Sequence, residues 1–257
     1  MSTWNPDLYL RYADERTRPS YDLAARIDLP NPRRIVDIGC GPGNSTRVLR
    51  ETWPHAEILG LDNSPEMIEK ARAAYPDENW IMADAATWET DERYDLVFSN
   101  AALQWMSDHN TLIPALFDRV APGGALAAQV PSNRESPLQQ AIVEVAGRPR
   151  WRDVTAGCDR SLLYLPADYY YDRLAPVAAR FDLWRTIYYH VLDSHQDMIE
   201  WSSSTAMRPY LDWLADDAER EAFRNEVREV CAPYYPLRSD GKVLFPFNRI
   251  FFIAYKA

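Results

Sequence analysis

Eleven residues, Arg34 to Asn44, read R-I-V-D-I-G-C-G-P-G-N and limit what this chain can fold into more than any other stretch. Ile35, Val36 and Ile38 are apolar and β-branched, the composition of a strand buried on both faces of a parallel sheet. Asp37 interrupts that run near its carboxyl end, where a buried acid is costly without a partner. Gly39, Gly41 and Gly43 follow in alternation, then Asn44, Ser45, Thr46 and a helical stretch to Trp53. A strand, a glycine loop and a helix start bring exposed backbone N–H groups close together, which makes a cofactor site. Three glycines and an acid are more than a tight turn needs.

The pattern continues downstream. Glu57 to Asp62 (E-I-L-G-L-D) predicts a second strand. Its terminal acid lies about twenty residues past the glycines, where nucleotide-binding folds set a carboxylate for ribose hydroxyls. Ser64 then reads as the N-cap of a helix with Pro65 in its first turn. Further strands are predicted at Trp80 to Asp84, Tyr94 to Asn100 and Gly123 to Val130, with helices over 64–75 and 108–120. Such alternation implies an α/β fold with a mostly parallel, doubly wound sheet. Asp37, Asp62, Asp84 and Asn100 then stand at successive carboxyl ends and line one crevice. Upstream, residues 7–28 read as two helical pieces, the second opened by Pro19.

Composition narrows the function. With 257 residues, 47% of them hydrophobic, the chain can bury the core of one large domain. No stretch is apolar enough to span a membrane. The N-terminus lacks the basic and apolar regions of a signal peptide. Cys40, Cys158 and Cys231 are scattered and odd in number, as expected in a reducing cytoplasm. His55, His109, His190 and His195 have no zinc-ligand spacing, so no metal is expected. A net charge of −10 argues against diffuse binding to nucleic acid or membrane. An anionic substrate would need arginines gathered locally against that field.

Two readings of the crevice compete. A nicotinamide-dependent oxidoreductase would favour G-x-G-x-x-G, whereas this chain has G-x-G-x-G with Pro42 inside it and Asp37 two residues ahead. The sequence D-I-G-C-G-P-G, followed by L-D and then A-D, resembles the class I S-adenosyl-L-methionine-dependent methyltransferases. That resemblance implies a Rossmann-like, seven-stranded, mostly parallel sheet with an antiparallel edge strand and a helical substrate cap. Phe181 to Leu192 and Val243 to Ala257 are the candidates for the antiparallel pair. On this basis residues 1–257 form a single methyltransferase domain. Its core is expected at about 33–131, 176–192 and 243–257, and its cap at about 1–32, 132–175 and 193–242. The resemblance puts Gly39, Gly41 and Gly43 under the methionine part of the cofactor. It gives Asp37 the ammonium end, Asp62 the ribose, Asp84 with Ala85 the adenine, and Asn100 the methionine part or the sulfonium.

Outside the core, arginine recurs near aromatics, as in R-P-R-W-R (148–152) and M-R-P-Y (207–210), and guanidinium matches carboxylate bidentately. The whole chain also resembles the trans-aconitate 2-methyltransferases, through W-N-P-D-L-Y-L, E-R-T-R-P, G-C-G-P-G-N-S-T, N-A-A-L-Q-W, W-R-T-I-Y-Y-H, S-H-Q-D-M-I-E-W, T-A-M-R-P-Y-L and F-N-R-I-F-F-I-A. That family resemblance implies methyl transfer to one carboxylate of a small tricarboxylate, and no obligate protein partner is evident in the sequence. No general base is required, because a carboxylate of pKa about 4 is already ionised at neutral pH. The remaining carboxylates need handles. The candidates are Arg208, Tyr188, Tyr189 and His190, with Arg16, Arg249 and Trp105 behind them. Tyr189 and His190 are adjacent in an expected strand and face opposite sides, so at most one of them points directly into a given pocket. Two alternatives stay open: a methyltransferase for another small acid or carbon nucleophile, and a cofactor-binding sensor without turnover.

Overall fold

In the computed structural model, which describes residues 13–156, 158 and 163–257 with the first four as backbone alone, the run predicted around Asp37 is strand β1 (Arg34–Ile38), buried from Ile35 onward. Parallel neighbours flank it on both sides, β2 (Glu57–Asp62) and β4 (Tyr94–Asn100). β3 (Asn79–Met82) lies beyond β2, and β5 (Val120–Pro131) beyond β4, again parallel. β7 (Val243–Tyr255) runs antiparallel to β5, and β6 (Arg180–Leu192) completes the order β3-β2-β1-β4-β5-β7-β6. The antiparallel strand thus sits one place in from the edge, which β6 forms. Chain order reverses between β1 and β4, and that reversal is the switch point where open α/β sheets hold ligands.

The helices are α1 (Ala13–Ala24), α2 (Asn44–Thr52), α3 (Pro65–Ala74), α4 (His109–Asp118), α5 (Pro137–Ala146), α6 (Ala167–Leu174), α7 (His195–Ser203), α8 (Arg208–Leu211) and α9 (Asp217–Cys231). Their starts follow from the sequence. Ser64, Ser136, Ser194 and Asp216 each accept a hydrogen bond from a first-turn N–H, and Pro65 and Pro137 occupy the first helical position.

Three expectations need correction. Pro19 lies inside α1 instead of opening a second helix; its ring is buried, and that contact offsets the lost backbone bond. The first stretch of the expected helix, 7–12, lies outside the described residues. β3 stops at Met82, so Asp84 stands two residues beyond the strand. β5 starts at Val120 and not at Gly123, because the register slips between the Tyr94–Val120 and Leu96–Ala125 pairs and the strand absorbs Gly123 in a left-handed conformation.

The chain divides into two compact units. The larger holds residues 14–132, 163–186 and 249–257; of the described residues, the smaller holds Ala13, 133–156, 158 and 187–248. In the larger unit, Ile38, Val97, Leu126, Ile250 and Phe252 form a core, with Tyr170 of α6 stacked on Phe252 at 4.7 Å between centroids. In the smaller, Val145, Trp201, Phe223 and Val227 join α5, α7 and α9. Trp151 packs edge-on to Phe223 there, 5.6 Å between centroids.

Candidate active site

The glycine loop hangs from β2. The N–H groups of Gly39 and Cys40 both donate to the Leu61 carbonyl, at 2.7 and 3.0 Å. Gly39 has φ +70°, and a Cβ there would fall 2.2 Å from the Cβ of Ala102, so no other residue fits. Gly41 also has positive φ (+56°), yet an added Cβ would meet nothing within 4 Å. The space beside the first glycine is filled by protein, and the space beside the second is open. Gly41 N–H donates to Asp62 Oδ2 at 2.9 Å, while Ser64 N–H donates to Asp62 Oδ1 at 2.9 Å. Asp62 therefore ties the loop to the start of α3. The Gly43 carbonyl accepts from Arg47 N–H at 2.9 Å and begins α2. Cys40 is buried, and burial pushes its thiol well above its ordinary range, which leaves it without nucleophilic character.

Asp37 is fully buried. Ser45 Oγ and Thr46 Oγ1 both donate to its Oδ2, at 2.6 and 2.7 Å. Its Oδ1 is equally buried and has no hydrogen-bond partner among the described residues. Burial lifts the carboxyl to about 6 against the pull of the two hydroxyls, and the charge of Asp62 adds to the rise. A second orphan acceptor, Asn100 Oδ1, lies at the end of β4. The turn after it is tense: Ala101 has φ +53°. Gln104 Nε2 holds the Ala101 carbonyl at 2.6 Å, and His109 Nε2 donates to the Leu103 carbonyl at 2.8 Å. Burial lowers the pKa of His109, which keeps it a neutral strut. Asp84 is exposed and accepts from Ala86 N–H at 2.9 Å, beside the buried Ala85. Unsatisfied acceptors at Asp37 and Asn100, with open space over Gly41, suit a ligand that carries a cationic donor.

The carboxylate candidates divide between the units. In the larger, Arg249 is 4% exposed and its Nη1 donates to Gln129 Oε1 at 3.0 Å. Trp105 ends a 3-10 turn (Leu103–Trp105) and is 44% exposed. In the smaller, β6 turns Tyr188 and His190 inward and Tyr189 outward, the alternation expected of a strand. The three neighbouring side chains therefore do not converge. His190 packs on Trp201 at 4.5 Å between centroids. Arg208 opens α8 on the surface and pairs with Asp212 at 3.5 Å. The side chain of Arg16 lies outside the described residues. Sequence reasoning passed over Ser45 and Thr46 as partners of Asp37, and Gln129 altogether. Gln129 carries the same signal as Asp37: a polar residue interrupting an apolar strand near its carboxyl end.

Residues 35–124 match a methyltransferase domain family. A trans-aconitate 2-methyltransferase of Variovorax paradoxus is 45% identical over 100% of this chain and 99% of its own length. One from Escherichia coli strain 55989 is 42% identical over 99% and 98%. Among solved structures, the YcgJ protein of Bacillus superposes with a TM-score of 0.60 at 13% identity, covering 93% of this chain and 98% of its own. A Haemonchus contortus phosphoethanolamine N-methyltransferase, in complex with phosphomonomethylethanolamine and S-adenosylhomocysteine, gives 0.61 at 15% identity, covering 97% and 59%. At such identities the two structures speak for the shared fold alone.

Proposed function

Because the chain belongs to the trans-aconitate 2-methyltransferase family, we propose that it transfers a methyl group from S-adenosylmethionine to one carboxylate of trans-aconitate, giving a monomethyl ester and S-adenosylhomocysteine. The observation that carries this reading is identity of 41–45% to curated relatives along the full length, well outside the cofactor motifs.

The residues at the switch point fit that cofactor. Asp37 Oδ1 is a buried acid oxygen awaiting a donor, as an ammonium would supply. Asn100 Oδ1 is a second such acceptor, and the bare face of Gly41 leaves room for a ligand to approach the backbone. Asp62 keeps lone pairs free beyond its two backbone contacts, enough to accept from ribose hydroxyls. Asp84 and Ala85 are assigned to the adenine. The cofactor, when bound, supplies an electrophilic methyl group on a sulfonium.

The chain's own contribution is positioning. An acceptor carboxylate is ionised at neutral pH, so no side chain has to take a proton. A site that solvated the reacting oxygen strongly would hold back attack on a cation; alignment and exclusion of water are what remain to be supplied. Trp105 offers an apolar surface for that exclusion. In the smaller unit, Arg208 and Tyr189 are candidate donors that lie on the surface. A surface pair such as Arg208–Asp212 is worth only about 0–1 kcal/mol and yields readily to a substrate carboxylate. Tyr188 and His190, on the buried face of β6, and, separately, Arg249 of the larger unit are further proposed carboxylate donors.

No helix among the described residues is long and apolar enough to cross a membrane. Three unbridged cysteines support a reducing compartment, and the reading extends to a cytoplasmic enzyme.

The test is mass spectrometry after incubation with methyl-labelled S-adenosylmethionine and a panel of trans-aconitate, cis-aconitate, citrate and isocitrate. Labelled monomethyl ester should form from trans-aconitate well above the others. Preferential labelling of another acid overturns the acceptor. Tight cofactor binding without labelling of any acid overturns turnover itself.

A further inference from the structure

Strand register aligns four polar residues. Asp37 pairs with Phe98 across β1 and β4, and Asn100, two residues on, pairs with Gln129 of β5. Pro131, two beyond Gln129, pairs with Arg249 of β7. Paired residues, and residues two apart on a strand, share a face of the sheet. Asp37, Asn100, Gln129 and Arg249 therefore stand on one face, in a diagonal row that steps by two residues from β1 to β4 and again from β5 to β7. The row has a polarity: an acid, an amide acceptor, an amide donor and a guanidinium.

Gln129 is the hinge of that polarity. Its side chain is 0% exposed, and Oε1 accepts from Arg249 Nη1 at 3.0 Å. A guanidinium only donates, so this bond fixes which way the amide points, with Nε2 turned away from the arginine. Nε2 is buried and has no hydrogen-bond partner among the described residues. Its register partner carries the matching orphan, Asn100 Oδ1, yet the two make no bond to each other. Each addresses something else. An acceptor at the Asp37 end suits a cation, and a donor at the Arg249 end suits an anion.

We propose that Gln129 is a specificity-determining residue, whose Nε2 donates to a carboxylate of the acceptor acid beside the Arg249 guanidinium. The inference rests on the methyl-transfer reading above. Gln129 lies two strands from the glycine loop, about 10 Å across the sheet, which favours the acceptor's carboxylate over the cofactor's. The arginine supplies charge, and the amide supplies direction, since it leaves one donor site in a dry setting where a misplaced carboxylate finds no partner.

The experiment uses the intact enzyme and Gln129→Leu, with Gln129→Met as the variant of closer shape should the first fail to fold. Steady-state kinetics gives KM and kcat for trans-aconitate, and inhibition constants are taken for three dicarboxylate analogues, each lacking one of its carboxylates. Calorimetry gives the affinity for S-adenosylhomocysteine. A hydrogen bond to a charged group predicts that KM rises about tenfold or more with kcat little changed. Two analogues should weaken similarly, while the one that lacks the Gln129-bound carboxylate keeps its inhibition constant. Affinity for S-adenosylhomocysteine should stay constant. Equal weakening of all three analogues, or of none, overturns the proposal. Loss of S-adenosylhomocysteine affinity with KM unchanged also overturns it, because the carboxylate is then the cofactor's. Failure of the wild type to methylate trans-aconitate would sink the functional reading instead, and shows without any variant.

Discussion

Asp37 is the residue whose chemistry is most tightly specified. Its folded-state pKa of about 6 lies above the ordinary value of 3.8. The stabilisation from holding its proton is therefore complete below that lower value and is lost as pH rises through about 6. An ammonium at Oδ1 reverses the preference, so cofactor binding should expel a proton near pH 6. We expect the dissociation constant for S-adenosylhomocysteine to be level above about pH 7 and to rise severalfold by pH 5. Calorimetry in buffers of different ionisation enthalpy would show the proton leaving; a flat affinity profile would remove Asp37 from the ammonium site. The neighbouring glycines separate stability from binding. Gly39→Ala forces a Cβ onto Ala102 in a left-handed backbone and should cost about 2 kcal/mol or more in thermal or urea unfolding. Gly41→Ala carries only the backbone strain, about 1 kcal/mol. Its new methyl enters the open side of the loop, so the larger effect should be on cofactor affinity.

At the scale of elements, α9 and its cap offer a clean perturbation. Asp216 accepts from Glu219 N–H at 2.9 Å, and Asp216→Ala should destabilise by about 1 kcal/mol. Phe223 on the same helix is fully buried against Trp151 and Tyr210. Phe223→Ala should cost about 3–5 kcal/mol, read from the urea midpoint. Elements of this kind were legible where the signal is local. β2 and β4 run as their apolar patterns predict, and Ser64 caps α3 where Ser-Pro-Glu announces it. The alternation of Tyr188, Tyr189 and His190 followed from strand period alone. What escaped depends on distant pairing. Nothing near Gln129 in sequence reveals that Arg249 will lie beside it, since that neighbourhood is made by the register of β5 on β7. Pro19 escaped for a related reason: burial of its ring overrides its local preference for a helix start.

For the whole molecule, the net charge of −10 sets a field against which a tricarboxylate must approach. Salt screens that field over about 8–10 Å at physiological ionic strength, and contacts inside a buried row much less. We therefore expect kcat/KM for trans-aconitate to rise about twofold as ionic strength increases from about 10 to about 150 mM. A steep fall would show that exposed arginines such as Arg208, and not the overall field, govern capture. The antiparallel seam between β5 and β7 bears on how such a chain is made. Pro131 and Arg249 are register partners, and more than a hundred residues of synthesis separate them. Until β7 emerges from the ribosome, the free edge of β5 presents a ladder of unmet amides and carbonyls beside the strands already laid down. The nascent protein thus passes through a long interval in which β7 is the missing piece. Chaperone engagement, or wrongful pairing with a neighbouring chain, would be directed at that edge.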